Sequence, residues 1–191
     1  MRIEDFLLGL GARRVGFVPV REIVFDASFR RLCEQNSCGQ YGQNWMCPPD
    51  VGPMEELMAR ARRYDTALVF QTVDALEDSF DVAGMAAAGD RMNRLIQAAR
   101  GPLSRALAPD PLFLGAGGCR ACRACTRPSG RPCRDPARAL ASLEAYGVAV
   151  SQLAERAGMP YVNGPGTVTY FGAALFSGAP EGREIPASLS K

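Results

Sequence analysis

An α/β fold, built on a central and mostly parallel sheet flanked by helices, is the class this sequence predicts. Three observations predict it. Short β-branched and apolar runs alternate with stretches of helical periodicity along the chain. The run at Thr66–Val73 is apolar enough to be a buried strand, and Gly166–Phe176 is the strongest strand signal late in the chain. The cysteines fall outside both kinds of segment, in two glycine-rich stretches at residues 33–49 and 115–136. With 191 residues the chain is expected to form a single domain over 1–191, with both cysteine-rich loops at one end of the sheet.

The elements follow in order. Residues 2–10 place Ile3, Phe6, Leu7 and Leu10 on one helical face, and Gly9 and Gly11 mark the end. Arg14–Val20 alternates like a strand and stops near Pro19. Residues 21–32 are compatible with strand at Ile23–Phe25 or with a short helix opening at Ser28. Pro53–Tyr64 reads as an amphipathic helix. Glu55 and Glu56 sit at its positive end, and Arg60, Arg62 and Arg63 at its negative end. After the Thr66–Val73 strand, a long helix is expected over residues 79–99, broken by Gly101-Pro102. Leu112–Leu114 is a short strand that runs into Gly115, Gly117 and Gly118. Arg120 stands where a dinucleotide fingerprint needs its third glycine, so the glycines serve the cysteine loop instead. A helix is expected from Pro136 to about Leu143 and another over 148–157. Gly166–Phe176 reads as a hairpin or long edge strand, and the tail from Ser177 as loosely held.

Composition removes several functions. Net charge is +2, which gives no argument for nucleic acid. No apolar run reaches the roughly 18–20 residues that span a bilayer. The N-terminus carries Glu4 and Asp5 and lacks the basic lead of a signal peptide. These features predict a cytoplasmic, reducing setting. There, cysteine clusters bind metal more often than they form disulfides, and an odd total of seven fits a disulfide framework poorly. Histidine is absent, which removes imidazole ligands, Ser-His-Asp and Cys-His catalysis.

The chemistry therefore rests on Cys33, Cys38, Cys47, Cys119, Cys122, Cys125 and Cys133. The second group is C-x2-C-x2-C-x7-C, with Pro136 three residues beyond. Zinc sites usually pair two C-x2-C knuckles across a longer loop. Three thiols at successive x2 spacings suit separate corners of a [4Fe–4S] cubane, whose fourth ligand arrives from elsewhere. Zinc and a redox or disulfide use are the competing readings. The first group is C-x4-C-x8-C-P-P, and its spacing is less diagnostic. Seven thiols divide as four plus three, giving one cluster or two, the second with an iron position open to a non-cysteine ligand or a small molecule. Cys133 and Cys47 are both candidates for the shared fourth position. Tyr41 and Trp45 either wall the site from water or simply pack. Arg120, Arg123, Arg127, Arg131 and Arg134 crowd the second group. They are an ordinary solvated loop, or they offset thiolate charge and receive an acidic partner or a small anionic ligand.

At C33-x4-C38-x2-YG-x2-W-x-CPP, at C119-x2-C-x2-C-x7-C133-R-x-P and at SLEAYGVAV (142–150), the chain resembles the predicted metal-binding proteins termed domain of unknown function 2284. The resemblance implies metal binding through the matching cysteines and brings no reaction with it.

Three functions are thus expected to compete. The first is an iron–sulfur protein passing electrons to a partner. The second is an enzyme that reduces, dehydrates or desulfurates a small molecule at an open iron. The third is a structural zinc protein.

Overall fold

The computed structural model describes residues 1–107, 109–180 and 182–186. Five strands form one sheet: β1 (Arg14–Pro19), β2 (Thr66–Ala75), β3 (Leu112–Gly115), β4 (Ala141–Ser142) and β5 (Thr167–Phe176), in the order β1-β2-β5-β3-β4. The helices are α1 (Ile3–Gly9), α2 (Phe29–Glu34), α3 (Met54–Ala61), α4 (Val82–Ala106) and α5 (Val150–Arg156).

The expected mostly parallel sheet is corrected. Only β3 and β4 pair in parallel; β1–β2, β2–β5 and β5–β3 are antiparallel. The physical reason lies in the last strand. β2 and β3 do run in the same direction, because each is antiparallel to β5, and α4 connects them as a crossover helix. The strand–helix–strand pattern was legible, but β5 inserts between its two strands. β5 is therefore the middle of the sheet, not the edge strand or hairpin its sequence suggested.

Both faces of this sheet are covered, which explains the unbroken apolar runs. Alternate residues of β2 serve opposite cores. Ala67 and Val69 pack with Leu57 and Ala61 of α3, Leu153 and Ala154 of α5, and Ala173 and Leu175 of β5. Leu68 and Phe70 pack with Ile3 and Leu7 of α1, Met92, Ile96 and Ala99 of α4, and Phe176.

Three local expectations change. The helix α4 runs through Gly101-Pro102 without stopping. A proline inside a helix costs about 3 kcal/mol. Continuing the helix keeps Leu103, and Leu107 just beyond it, fully buried on the same face as Ile96 and Ala99, each contributing about 1.5–3 kcal/mol. Residues 136–143 are not helix. Residues 136–138 form a turn, Ala141 and Ser142 then pair with Leu114 and Gly115 as strand, and Leu143 N–H donates to the Gly115 carbonyl. The tail beyond Ser177 is packed where it is described: Ile185 is buried, its N–H donates to the Met1 carbonyl, and Arg183 donates to the carbonyls of Ser177, Ala179 and Ala106. No helix among the described residues is long and apolar enough to cross a membrane.

Candidate metal centre

The two cysteine stretches are far apart in sequence and meet in space. The first starts inside α2, which carries Cys33 and follows Ser28 as expected, and continues through turns to Cys47. The second leaves the end of β3 at Gly115. At Gly118 the loops are in contact: a Cβ there would meet the Gln40 side-chain amide and stand 3.0 Å from Asn44 Nδ2, so the glycine leaves room for these two side chains of the first loop.

Two further ties close the loops together. Trp45 Nε1–H donates to the Arg131 carbonyl at 3.1 Å. Arg127 pairs with Asp50, Nε to Oδ2 at 2.7 Å, and its guanidinium lies over the Trp45 ring. Both partners of that ion pair are largely shielded, which makes it worth more than the small stabilisation usual for an exposed pair. Trp45 is thus a bridge between the loops and not part of the main core.

All seven cysteines are free thiols. Cys47 is buried, Cys38 is exposed, and the other five are half-buried. The Asn44 side chain, itself 2% exposed, donates from Nδ2 to Cys47 Sγ at 3.2 Å and accepts at Oδ1 from the Met46 N–H. Burial pushes the Cys47 thiol up to about 11. The Asn44 hydrogen bond opposes that rise, while Cys38, Cys33 and Cys119 add to it as neighbouring acids. Burial likewise raises Cys33; Arg30 counters it, and Cys38, Glu144 and Glu34 reinforce it. Cys119 thus lies near enough to the first loop to act on Cys47, while it lines a cavity with Cys122 and Cys125 of its own loop.

Cys119, Cys122 and Cys125 share with Cys38 the wall of an open cavity of about 880 Å³. Arg94, Arg120, Arg123 and Asp90 also line it. Arg120 is held there by Asp90 (2.9 Å), and Asn93 fixes the backbone by donating to the Arg120 carbonyl. Cys133 is elsewhere: it borders a smaller cavity with Met46, Arg60, Arg100 and Tyr146. Of the five loop arginines, Arg120 and Arg127 pair with carboxylates, whereas Arg123, Arg131 and Arg134 pair with none among the described residues.

Among the described residues, no three Cys, Asp or Glu side chains form a group placed to hold a metal ion. Thiols from both loops do line one cavity, and thiolate is a donor that zinc and iron–sulfur clusters both take. An N–H donor aimed at a ligand sulfur, as Asn44 supplies, is one of the contacts that tune such clusters. Sequence reasoning did not identify Asn44. Its place three residues before Cys47, in a turn too short for regular structure, is the signal that could have found it.

A family model described as "Predicted metal-binding protein (DUF2284)" matches residues 16–176. No curated protein and no solved structure gives a match.

Proposed function

Because the chain belongs to this family of predicted metal-binding proteins, over residues 16–176, we propose that its metal is an iron–sulfur cluster held between the two cysteine loops and used for electron transfer with a partner protein. The observation that carries this reading is the meeting of the two loops: Cys38 and Cys119 line one cavity, and Cys38, Cys33 and Cys119 act as neighbouring acids on Cys47. A [4Fe–4S] cluster bound there would supply one-electron redox chemistry. The chain's own residues do the rest. Cys33, Cys38, Cys47 and Cys119 hold the cluster; Asn44 donates to sulfur; and Trp45, with Arg127 over its ring, closes one side. Arg123, Arg131 and Arg134, free of carboxylate partners among the described residues, provide a basic surface for an acidic partner. Seven reduced thiols suit a reducing, cytoplasmic compartment.

A second reading is supported by the 880 Å³ cavity. It is roomier than a cubane core and lies in the size range of small-molecule pockets. In this reading Cys119 joins Cys122 and Cys125, which line the same cavity, as three thiols of a cluster with one iron position open. Arg94 and Arg123 beside it suit an anionic substrate for reduction, dehydration or sulfur removal.

Anaerobic purification with iron, sulfide and zinc analysis tests both. Iron with acid-labile sulfide in equal amounts is expected, near four irons per chain for one cluster and near eight for two. Stoichiometric zinc without sulfide would sink the proposal. The enzyme reading further requires the electron paramagnetic resonance spectrum of the reduced protein to shift with a small anionic substrate.

A further inference from the structure

The smaller cavity that Cys133 borders lies beside β3, has a volume of about 300 Å³ and is used by neither reading of the metal. Arg60 reaches it from α3 on one face of the sheet, Arg100 from α4 on the other, and Tyr146 from the turn after β4. Arg100 is half-buried. Its guanidinium lies over the Phe113 ring, and Nη1 donates to the Ala139 carbonyl at 3.4 Å. Its Nε and Nη2 make no hydrogen bond among the described residues, and they are open to solvent rather than sealed. Burial disfavours the charged form of Arg100, and Asp135 and Cys119 oppose that effect. No carboxylate compensates it directly: Asp135 pairs with Arg138, and Asp110 at the cavity wall pairs with neither Arg60 nor Arg100 among the described residues. Tyr146 is 3% exposed; its hydroxyl accepts from Arg60 Nη1 at 3.5 Å, and its own proton has no acceptor among the described residues. Burial pushes Tyr146 up against the opposing pull of Arg60, so at neutral pH the hydroxyl remains a donor. A partly desolvated guanidinium with free N–H groups at a cavity wall is a receptor for an oxyanion.

We propose that this cavity binds a small organic acid, with a carboxylate or phosphate head on a compact apolar body. Arg100 donates to the head from Nε and Nη2. Arg60, held by Tyr146, meets it from the other side, and the Tyr146 hydroxyl adds a neutral donor. The body lies along Met46, Pro111 and Leu112, which line the same cavity. The volume is at the small end for ligand pockets, which limits the body to a single ring or a short chain. Cys133 borders the cavity and takes no part in holding the acid.

Calorimetry on the protein as purified tests the site. Benzoate and phenyl phosphate are the probes. Benzamide, which lacks the charge, and inorganic phosphate, which lacks the body, are the controls. Saturable binding of at least one probe is expected, about tenfold or more tighter than either control. Benzoate in the lead marks a carboxylate head; phenyl phosphate in the lead marks a phosphate head. R100Q should weaken binding about tenfold or more, and Y146F and R60Q about three- to tenfold each, with unchanged circular dichroism spectra. Should R100Q fail to fold, Y146F carries the test. C133S should leave binding unchanged. Absence of saturable binding of both probes overturns the site. Inorganic phosphate binding as tightly as the better probe also overturns it, because the apolar walls would then contribute nothing. So does a loss confined to R60Q, the signature of unspecific attraction to an exposed charge. Loss of both binding and iron in C133S would assign the cavity to the metal and overturn the proposal too.

Discussion

Asn44 shows what a single residue contributes at this centre. Its amide is buried, is fixed by the Met46 N–H and Gln40, and is turned so that its N–H reaches Cys47 Sγ. A donor to a ligand sulfur favours the more electron-rich, reduced state. Asn44→Leu should therefore lower the midpoint potential of the loaded protein in a redox titration. It should also cost about 1–3 kcal/mol of stability, because the Met46 N–H is left unpaired. A potential that stays put would remove Asn44 from the metal's surroundings. The thiols give a sharper test. On the proposed ligand set, Cys119→Ser should reduce iron content markedly, because Cys119 lies near enough to act on Cys47. Cys133→Ser, at a different cavity, should retain iron bound by Cys33, Cys38, Cys47 and Cys119. Iron analysis showing the reverse order would refute this division. Loading should also improve as pH rises. Cys47 is raised to about 11 by burial, so at neutral pH its proton must be displaced before metal binds, and alkaline solution makes that displacement easier. Iron uptake by the apoprotein, followed between neutral and mildly alkaline pH, checks the sign.

Among the elements, β5 carries most of the architecture. It pairs with β2 along ten register positions and with β3 along three. At Gly172 it also passes directly under an aromatic ring: a Cβ there would stand 2.7 Å from Phe70 Cε2 and 3.0 Å from Ile96 Cδ1. Gly172→Ala should then destabilise the protein by about 1–3 kcal/mol, the cost of overpacking a filled core. Chemical denaturation measures it, and an unchanged midpoint would show that Phe70 moves aside freely. A glycine inside an apolar strand looks like a weakness in sequence. Here it is the space that α4 and Phe70 fill.

For the molecule as a whole, the metal and the fold are separable. The two cores are built from α1, α3, α4, α5 and the sheet, and of the cysteines only Cys47 is buried. A chain of this length buries enough apolar surface without a metal. Stripping the metal should thus leave far-UV circular dichroism nearly unchanged, while limited proteolysis becomes faster within residues 33–49 and 116–136. Global unfolding on metal removal would show that the loops, not the sheet, hold the molecule together.

The sequence by itself determined the positions of α1, β1, α3, β2, β3, α5 and β5 to within a few residues, because each rests on local periodicity and turn chemistry. It also determined the family and the seven thiols, because cysteine spacing is local information. Only tertiary structure decided the order of the strands. The insertion of β5 between β2 and β3 depends on pairing across the whole chain, which no local pattern encodes. The same reason governs α4: whether Pro102 ends a helix depends on what Leu103 and Leu107 bury against. It governs the metal centre most of all. Spacing groups Cys119 with Cys122 and Cys125 and leaves the fourth ligand to come from elsewhere; the fold brings Cys38 of the first loop to the same cavity wall, where Gly118 leaves room for Gln40 and Asn44.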